Sequence, residues 1–197
     1  MNVNKPKFWD RKGFTIWPYF FLPLSIVVNL FNLFKFRYLK KKDFNIPIIC
    51  VGNIYLGGTG KTPLCIEIFK ILTSLNTNPA FVKKYHEGFI DENKLLENTG
   101  NLFVSKQRSE AIKLLINSKA EVAILDDGFQ DPRIKSDISI ICFNEKQWIG
   151  NGFLIPSGPL REKLTALKRC NYVFINGFTN LKIEKIINKF NSKIKIF

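Results

Sequence analysis

The stretch Ile46-Pro-Ile-Ile-Cys-Val-Gly-Asn-Ile-Tyr-Leu-Gly-Gly-Thr-Gly-Lys-Thr62 decides the fold. Its first six residues are apolar and rich in β-branched side chains, which reads as a buried strand. A glycine-rich loop follows, Gly57-Gly58-Thr59-Gly60-Lys61-Thr62. From about Thr62 to Leu75 the apolar residues Leu64, Ile68, Ile71, Leu72 and Leu75 recur at helical spacing. Strand, glycine loop and helix in that order are what a phosphate-binding loop requires. Glycines let backbone N–H groups curl round phosphates, and the helix N-terminus adds a favourable dipole. Lys61 supplies charge, and the Thr62 hydroxyl can hold Mg²⁺. Tyr55 stands where the usual G-x-x-x-x-G-K-T spacing has glycine, so the nucleotide-binding candidates run Tyr55, Leu56, Gly57, Gly58, Thr59, Gly60, Lys61, Thr62. A coincidental Gly-Lys-Thr turn is the bland alternative, and the strand–loop–helix context argues against it.

Outward from this loop, further strand candidates are Ala80–Val82, Leu102–Ser105, Val122–Leu125, Ile138–Phe143 and Tyr172–Ile175. Ser109–Ser118 and Leu181–Phe190 read as helices, and Lys193–Phe197 as a last strand. Strands alternating with helices predict an α/β fold, P-loop NTPase-like, with a mostly parallel sheet covered by helices on both faces. A second chemical signal lies in Val122-Ala-Ile-Leu-Asp-Asp-Gly-Phe-Gln130. An apolar run ending in carboxylates places acids at the C-terminal edge of a parallel strand, where α/β sheets bind ligands. Beside a phosphate loop such acids support Mg²⁺, so Thr62, Asp126, Asp127 and Gln130 are the metal candidates. An Asp pair that merely caps the turn before Gly128 is the plainer reading.

The chain has 197 residues, 46% of them hydrophobic and 23% charged, which excludes wholesale disorder. Its 30 Lys/Arg outweigh 16 Asp/Glu, for a net charge of +14. That excess is uneven: residues 1–42 hold nine basic residues and one acid, Asp10. This segment is also the most apolar, so a lipid surface fits better than nucleic acid, and no base-stacking motif stands out. Phe14 to Phe34 contains no formal charge and would be about 31 Å long as one helix. Pro18 and Pro23 break its first half, and Asn29 and Asn32 add polar groups to the second. Basic clusters flank both ends: Lys5, Lys7, Arg11 and Lys12, then Lys35, Arg37, Lys40, Lys41 and Lys42. A spanning helix would carry one cluster across the membrane, against the positive-inside rule. An interfacial anchor on an anionic membrane satisfies every feature, with a true span and a helix packed on the rest of the chain as the alternatives. The domain reading is therefore 1–42 as a membrane-associated segment and 43–197 as the nucleotide-binding domain. No small-residue cleavage site suggests a signal peptide. Cys50, Cys65, Cys142 and Cys170 are widely spaced, which indicates neither a disulfide framework nor a zinc site.

Three motifs together are similar to the tetraacyldisaccharide 4′-kinase (lipid A disaccharide kinase) family. Val51-Gly52-Asn53 leads into Gly57–Pro63, Asp126–Gln130 matches the family's Asp-Asp-Gly-(Leu/Phe)-Gln element, and Gly150–Glu162 matches its Gly/Pro-rich stretch ending Gly-Pro-Leu-Arg-Glu. The resemblance covers about Phe8 to Asn176. It implies transfer of the ATP γ-phosphoryl group to the 4′-hydroxyl of an acylated disaccharide 1-phosphate, in lipid A biosynthesis. It also implies ATP and Mg²⁺ as cofactors and a place at the cytoplasmic face of the bacterial inner membrane. The family's Gly-Asp-Glu-Pro stretch is best matched by Ile90-Asp91-Glu92-Asn93, which makes Asp91 the candidate base. Its Arg-Gly-Tyr-Gly stretch is replaced by Lys83-Lys84-Tyr85-His86-Glu87-Gly88, and the chain's only histidine, His86, reads as a solvated loop residue. Arg161 is a candidate phosphate contact or an ion-pair partner of Glu162 or another acid. Family members continue for about another domain, with further nucleotide contacts and a histidine that assists the catalytic Asp. A membrane-associated ATP-binding protein without turnover is the alternative that this shortening raises.

Overall fold

The computed structural model describes residues 5–10, 15–178 and 181–197. Arg11, Lys12 and Phe14, named above, lie outside them. In chain order the elements are α1 (Trp17–Phe20), α2 (Leu22–Tyr38), β1 (Ile48–Gly52), α3 (Lys61–Ser74), β2 (Pro79–Lys84), α4 (Ile90–Glu97) and β3 (Leu102–Ser105). They continue with α5 (Arg108–Ile116), β4 (Val122–Asp126), β5 (Ile138–Asn144), β6 (Tyr172–Asn176), α6 (Leu181–Phe190) and β7 (Lys195–Ile196). The chain forms two compact units.

One unit comprises Lys40–Asn53 and Gly60–Cys142. Its strands are all parallel, in the spatial order β3, β2, β4, β1, β5. The central strands β1 and β4 are apolar along their length and almost wholly buried, as a parallel sheet demands. β1 begins at Ile48, after Pro47, which has no N–H to give a ladder. Register sets Val51 beside Asp126. The carboxylate at the end of β4 therefore lies next to the strand end that launches the glycine loop. Helix α3 packs on β1, β2 and β4, and α5 on β2 and β3. The Phe69 and Phe81 rings stack with centroids 4.8 Å apart. Ile90–Asn93, which the sequence reading assigned to no element, opens helix α4, with Asp91 and Glu92 in its first turn. Leu96 is the only residue it buries, so its apolar periodicity was too thin to announce it.

The other unit comprises Met1–Leu39, Ile54–Thr59 and Phe143–Phe197. β6 and β7 pair in parallel, and α6 packs on the short turn Leu164–Arg169. Pro18 and Pro23 sit in the first turns of α1 and α2. There proline costs no hydrogen bond, so the interruption falls at Phe21, between the helices. α2 is fastened by polar groups. The buried Ser25 hydroxyl donates to the Leu154 carbonyl (2.8 Å) and accepts from the Ser157 N–H (3.1 Å). Asn32 donates to the Arg161 carbonyl (2.9 Å). Its remaining sides expose Leu24, Ile26, Val27, Leu30, Phe31, Leu33 and Phe34. Among the described residues no helix is long and apolar enough to cross a membrane.

Candidate active site

The glycine loop delivers Gly60 as the cap of α3, in left-handed conformation (φ 89°, ψ 19°). Glycine adopts that region freely, and Lys61 and Thr62 then open the helix. Gly52, one residue past Val51, is required for another reason. A Cβ there would come within 2.4 Å of the Phe129 Cβ, so β1 and the turn after β4 approach only through glycine. The Thr62 hydroxyl donates to Asp126 Oδ2 at 3.1 Å, and Lys61 Nζ lies 3.7 Å from Asp127 Oδ1. Asp126 is buried, and its Oδ1 has no hydrogen-bond partner among the described residues. Asp127 takes a positive φ of 59°, a conformation Asp tolerates better than most residues. Its carbonyl accepts from Arg108 Nη2 at 2.5 Å. Gln130 donates its amide to the Asn53 carbonyl (2.6 Å), tying this turn to the residue after β1.

The second lysine of the site was not singled out as functional by the sequence reading. Lys83, at the end of β2, is buried and touches two carboxylates: Asp126 Oδ2 at 2.8 Å and Glu92 Oε2 at 2.5 Å. Burial works against the ammonium, but the charge and hydrogen bond of Asp126, then those of Glu92, outweigh it and raise the lysine's pKa. A charge ending the apolar run Pro79-Ala-Phe-Val marks the lysine in the sequence but not its partners. Arg108 is likewise drawn in, with Nη1 3.8 Å from Asp131 Oδ2.

The structure therefore brings together Lys61, Thr62, Asp126 and Asp127. Asp91 is exposed in the first turn of α4, with no hydrogen bond or ion pair among the described residues, although its neighbour Glu92 reaches Lys83. His86 is exposed and accepts from the Gly88 N–H at 3.2 Å. Among the described residues, no group of three His, Cys, Asp or Glu side chains is placed to hold a metal.

Tyr55 belongs to the other unit. It is fully buried with Leu154 and Leu160. Its hydroxyl donates to Asp10 (2.9 Å), and Lys5 Nζ sits 4.4 Å from its ring centre. The Leu56 N–H donates to the Pro159 carbonyl (2.8 Å), so the Gly/Pro-rich stretch braces the residues entering the loop. Glu162 pairs with Arg169 (2.9 Å). All four cysteines are free and buried. Burial pushes the thiols of Cys50, Cys142 and Cys170 up to about 12 and that of Cys65 well above its ordinary value.

Comparison with known proteins gives the family and the fold. A curated tetraacyldisaccharide 4′-kinase from Pelagibacter ubique is 45% identical over the whole chain, and the chain spans 63% of that relative's length. Among solved structures, LpxK from Aquifex aeolicus in complex with ATP superposes with a TM-score of 0.67 at 23% identity, covering 83% of this chain and 62% of the other. The signal recognition particle 54 kDa protein from Aeropyrum pernix, in complex with GDP, superposes with a TM-score of 0.52 at 11% identity, covering 94% and 49%. At those identities the two likenesses establish the fold. The family model for tetraacyldisaccharide-1-P 4′-kinase matches residues 15–90 and 83–196. The chain belongs to the tetraacyldisaccharide-1-P 4′-kinase family.

Proposed function

We propose that this chain is the nucleotide-binding part of an ATP-dependent kinase acting on the 4′-hydroxyl of tetraacyldisaccharide 1-phosphate in lipid A biosynthesis. The observation that carries the reading is the hydroxyl of Thr62 on the Asp126 carboxylate at 3.1 Å, one residue beyond Lys61 at the start of α3. Residues Tyr55 to Thr62 would receive the nucleotide. Within that stretch the N–H groups of Gly57 to Lys61 and the N-terminal end of α3 would face phosphate oxygens. Lys61 would exchange its partner Asp127 for a phosphate. The buried Asp126 Oδ1 without a partner, beside the Thr62 hydroxyl, is an oxygen donor set suited to Mg²⁺. Mg²⁺ binds through one or two carboxylates plus substrate phosphates, so a cluster of three acids is not needed. Thr62, Asp126, Asp127 and Gln130 would hold it, and when bound it supplies neutralisation of phosphate charge. Asp91 would orient or deprotonate the acceptor hydroxyl from the first turn of α4.

The exposed apolar residues of α1 and α2, with Arg37, Lys40, Lys41 and Lys42 exposed beside them in the chain, support peripheral attachment to an anionic membrane. In that reading residues 1–42 are the membrane-associated segment and 43–197 the kinase domain, working at the cytoplasmic face of the inner membrane. The deciding experiment is 4′-phosphorylation of tetraacyldisaccharide 1-phosphate by the purified chain and its Asp91→Asn variant. General-base help is worth roughly 10²–10⁴ in rate, so the variant should be slower by that order while ATP affinity is unchanged. Equal rates would remove Asp91 from the mechanism, and absence of product from either protein would overturn the kinase reading for this chain.

A further inference from the structure

We propose that Lys83 is a positioning residue that ties the acceptor-side helix α4 to the Asp126 carboxylate, so that both sides of the site share one frame. This rests on the nucleotide reading above. An ammonium has three protons and no acceptor capacity. Here two of its directions are taken by acids from different elements, Asp126 at the end of β4 and Glu92 in the first turn of α4. The side chain is 4% exposed, and a charge so buried is retained only where partners compensate it. The Phe89 ring, one residue before α4, lies 5.1 Å from the same nitrogen and adds a cation–π contact.

Two consequences follow from this geometry. First, Asp126 spends Oδ2 on both Lys83 and Thr62, and its Oδ1 has no hydrogen-bond partner among the described residues. Second, α4 has little else to hold it. It is eight residues long and buries only Leu96, so the Lys83–Glu92 pair is its main polar tether. Asp91 is Glu92's neighbour and has no hydrogen bond or ion pair of its own among the described residues. Its position is therefore set through Lys83, and anything that redistributes charge at Asp126 is felt at α4.

The test is hydrogen exchange of the purified chain, with and without Mg·ATP, for the parent, Glu92→Gln, Lys83→Met and Lys83→Arg. Glu92 is half-exposed, so Glu92→Gln removes the helix half of the tether with little risk to folding. We expect exchange in α4 to rise roughly tenfold in Glu92→Gln and Lys83→Met, with α3 and β4 unchanged in Glu92→Gln. Lys83→Arg should restore most of the protection. Mg·ATP should alter α4 exchange in the parent and not in Glu92→Gln, while calorimetry shows ATP affinity within about threefold for both, since Lys61 is untouched. Exchange of α4 within twofold of the parent in Glu92→Gln would overturn the tether. An α4 that ignores bound Mg·ATP in the parent would overturn the shared frame. Failure of the parent to bind ATP would refute the nucleotide reading instead, and the nucleotide-free comparison of parent and Glu92→Gln would still decide the tether.

Discussion

Replacing Lys61 by Ala isolates the contribution of one charge to nucleotide binding. A charge-assisted hydrogen bond from an ammonium to phosphate is worth about 1.5–3 kcal/mol. The lysine does not come to that contact free. Lys61 Nζ lies 3.7 Å from Asp127 Oδ1, beyond hydrogen-bond length, with the two side chains 14% and 23% exposed. A partly exposed pair of that kind is worth up to about 1 kcal/mol, and that interaction must be surrendered when phosphate arrives. The net loss in Lys61→Ala is then about 0.5–3 kcal/mol, or roughly 2- to 160-fold in Kd. Isothermal titration with Mg·ATP at fixed ionic strength measures it. Circular dichroism checks that the fold is unchanged. The same reasoning gives Asp127→Asn the opposite sign for metal-free ATP: with the competing carboxylate gone, affinity should rise by up to about fivefold. If Lys61→Ala binds within twofold of the parent, Lys61 does not face phosphate and the loop assignment fails.

Three further outcomes are expected. Lys40, Lys41 and Lys42 changed together to Glu should weaken binding to phosphatidylglycerol vesicles roughly a hundredfold at low salt, at about 1 kcal/mol per lysine, and binding of the parent should fall as salt rises; flotation that ignores both changes would remove the electrostatic attachment. The thiols of Cys50, Cys142 and Cys170, held near 12 in the fold, should resist a thiol-specific disulfide reagent at pH 8, and all four cysteines should react in urea. Because the unfolded thiols ionise from about 8.5, this contribution to stability is complete below that pH. It declines as pH rises toward 12, so urea midpoints that stay level from pH 8 to 10.5 would contradict the burial. Ser25→Ala leaves the Ser157 N–H and the Leu154 carbonyl without that partner. It should cost about 2–3 kcal/mol and lower Tm by roughly 4–12 °C, and an unchanged melting curve would show that α2 is not fastened there.

The parts of this molecule that could be read from the chain are those in which neighbouring residues carry the information. The run Ile48–Gly52, the glycine loop and α3 are contiguous, so strand, turn and helix each announce the next. Asp126 was legible because an apolar strand must end at the ligand-binding edge of a parallel sheet. What stayed hidden depends on partners far away in sequence. Lys83 meets Asp126 43 positions later, and Tyr55 meets Asp10 45 positions earlier; no local pattern marks either pair. Helix α4 escaped because a helix that buries one leucine barely differs from a polar loop.

The polar fastening of α2 changes what can be done with the protein at the bench. A hydrophobic leader is commonly trimmed away to obtain material that behaves in aqueous buffer. Here the trimmed piece would take with it the side chains of Ser25, Asn32 and Trp9, which occupy the carbonyls of Leu154, Arg161 and Pro156. Cutting at residue 42 would strip these groups and the Asp10 partner of Tyr55 at a single stroke, exposing a Gly/Pro-rich stretch that has no regular structure of its own to fall back on. Detergent or nanodisc preparations of the uncut chain, with substitutions confined to the outward residues of α2, are the route that keeps the entrance to the glycine loop intact.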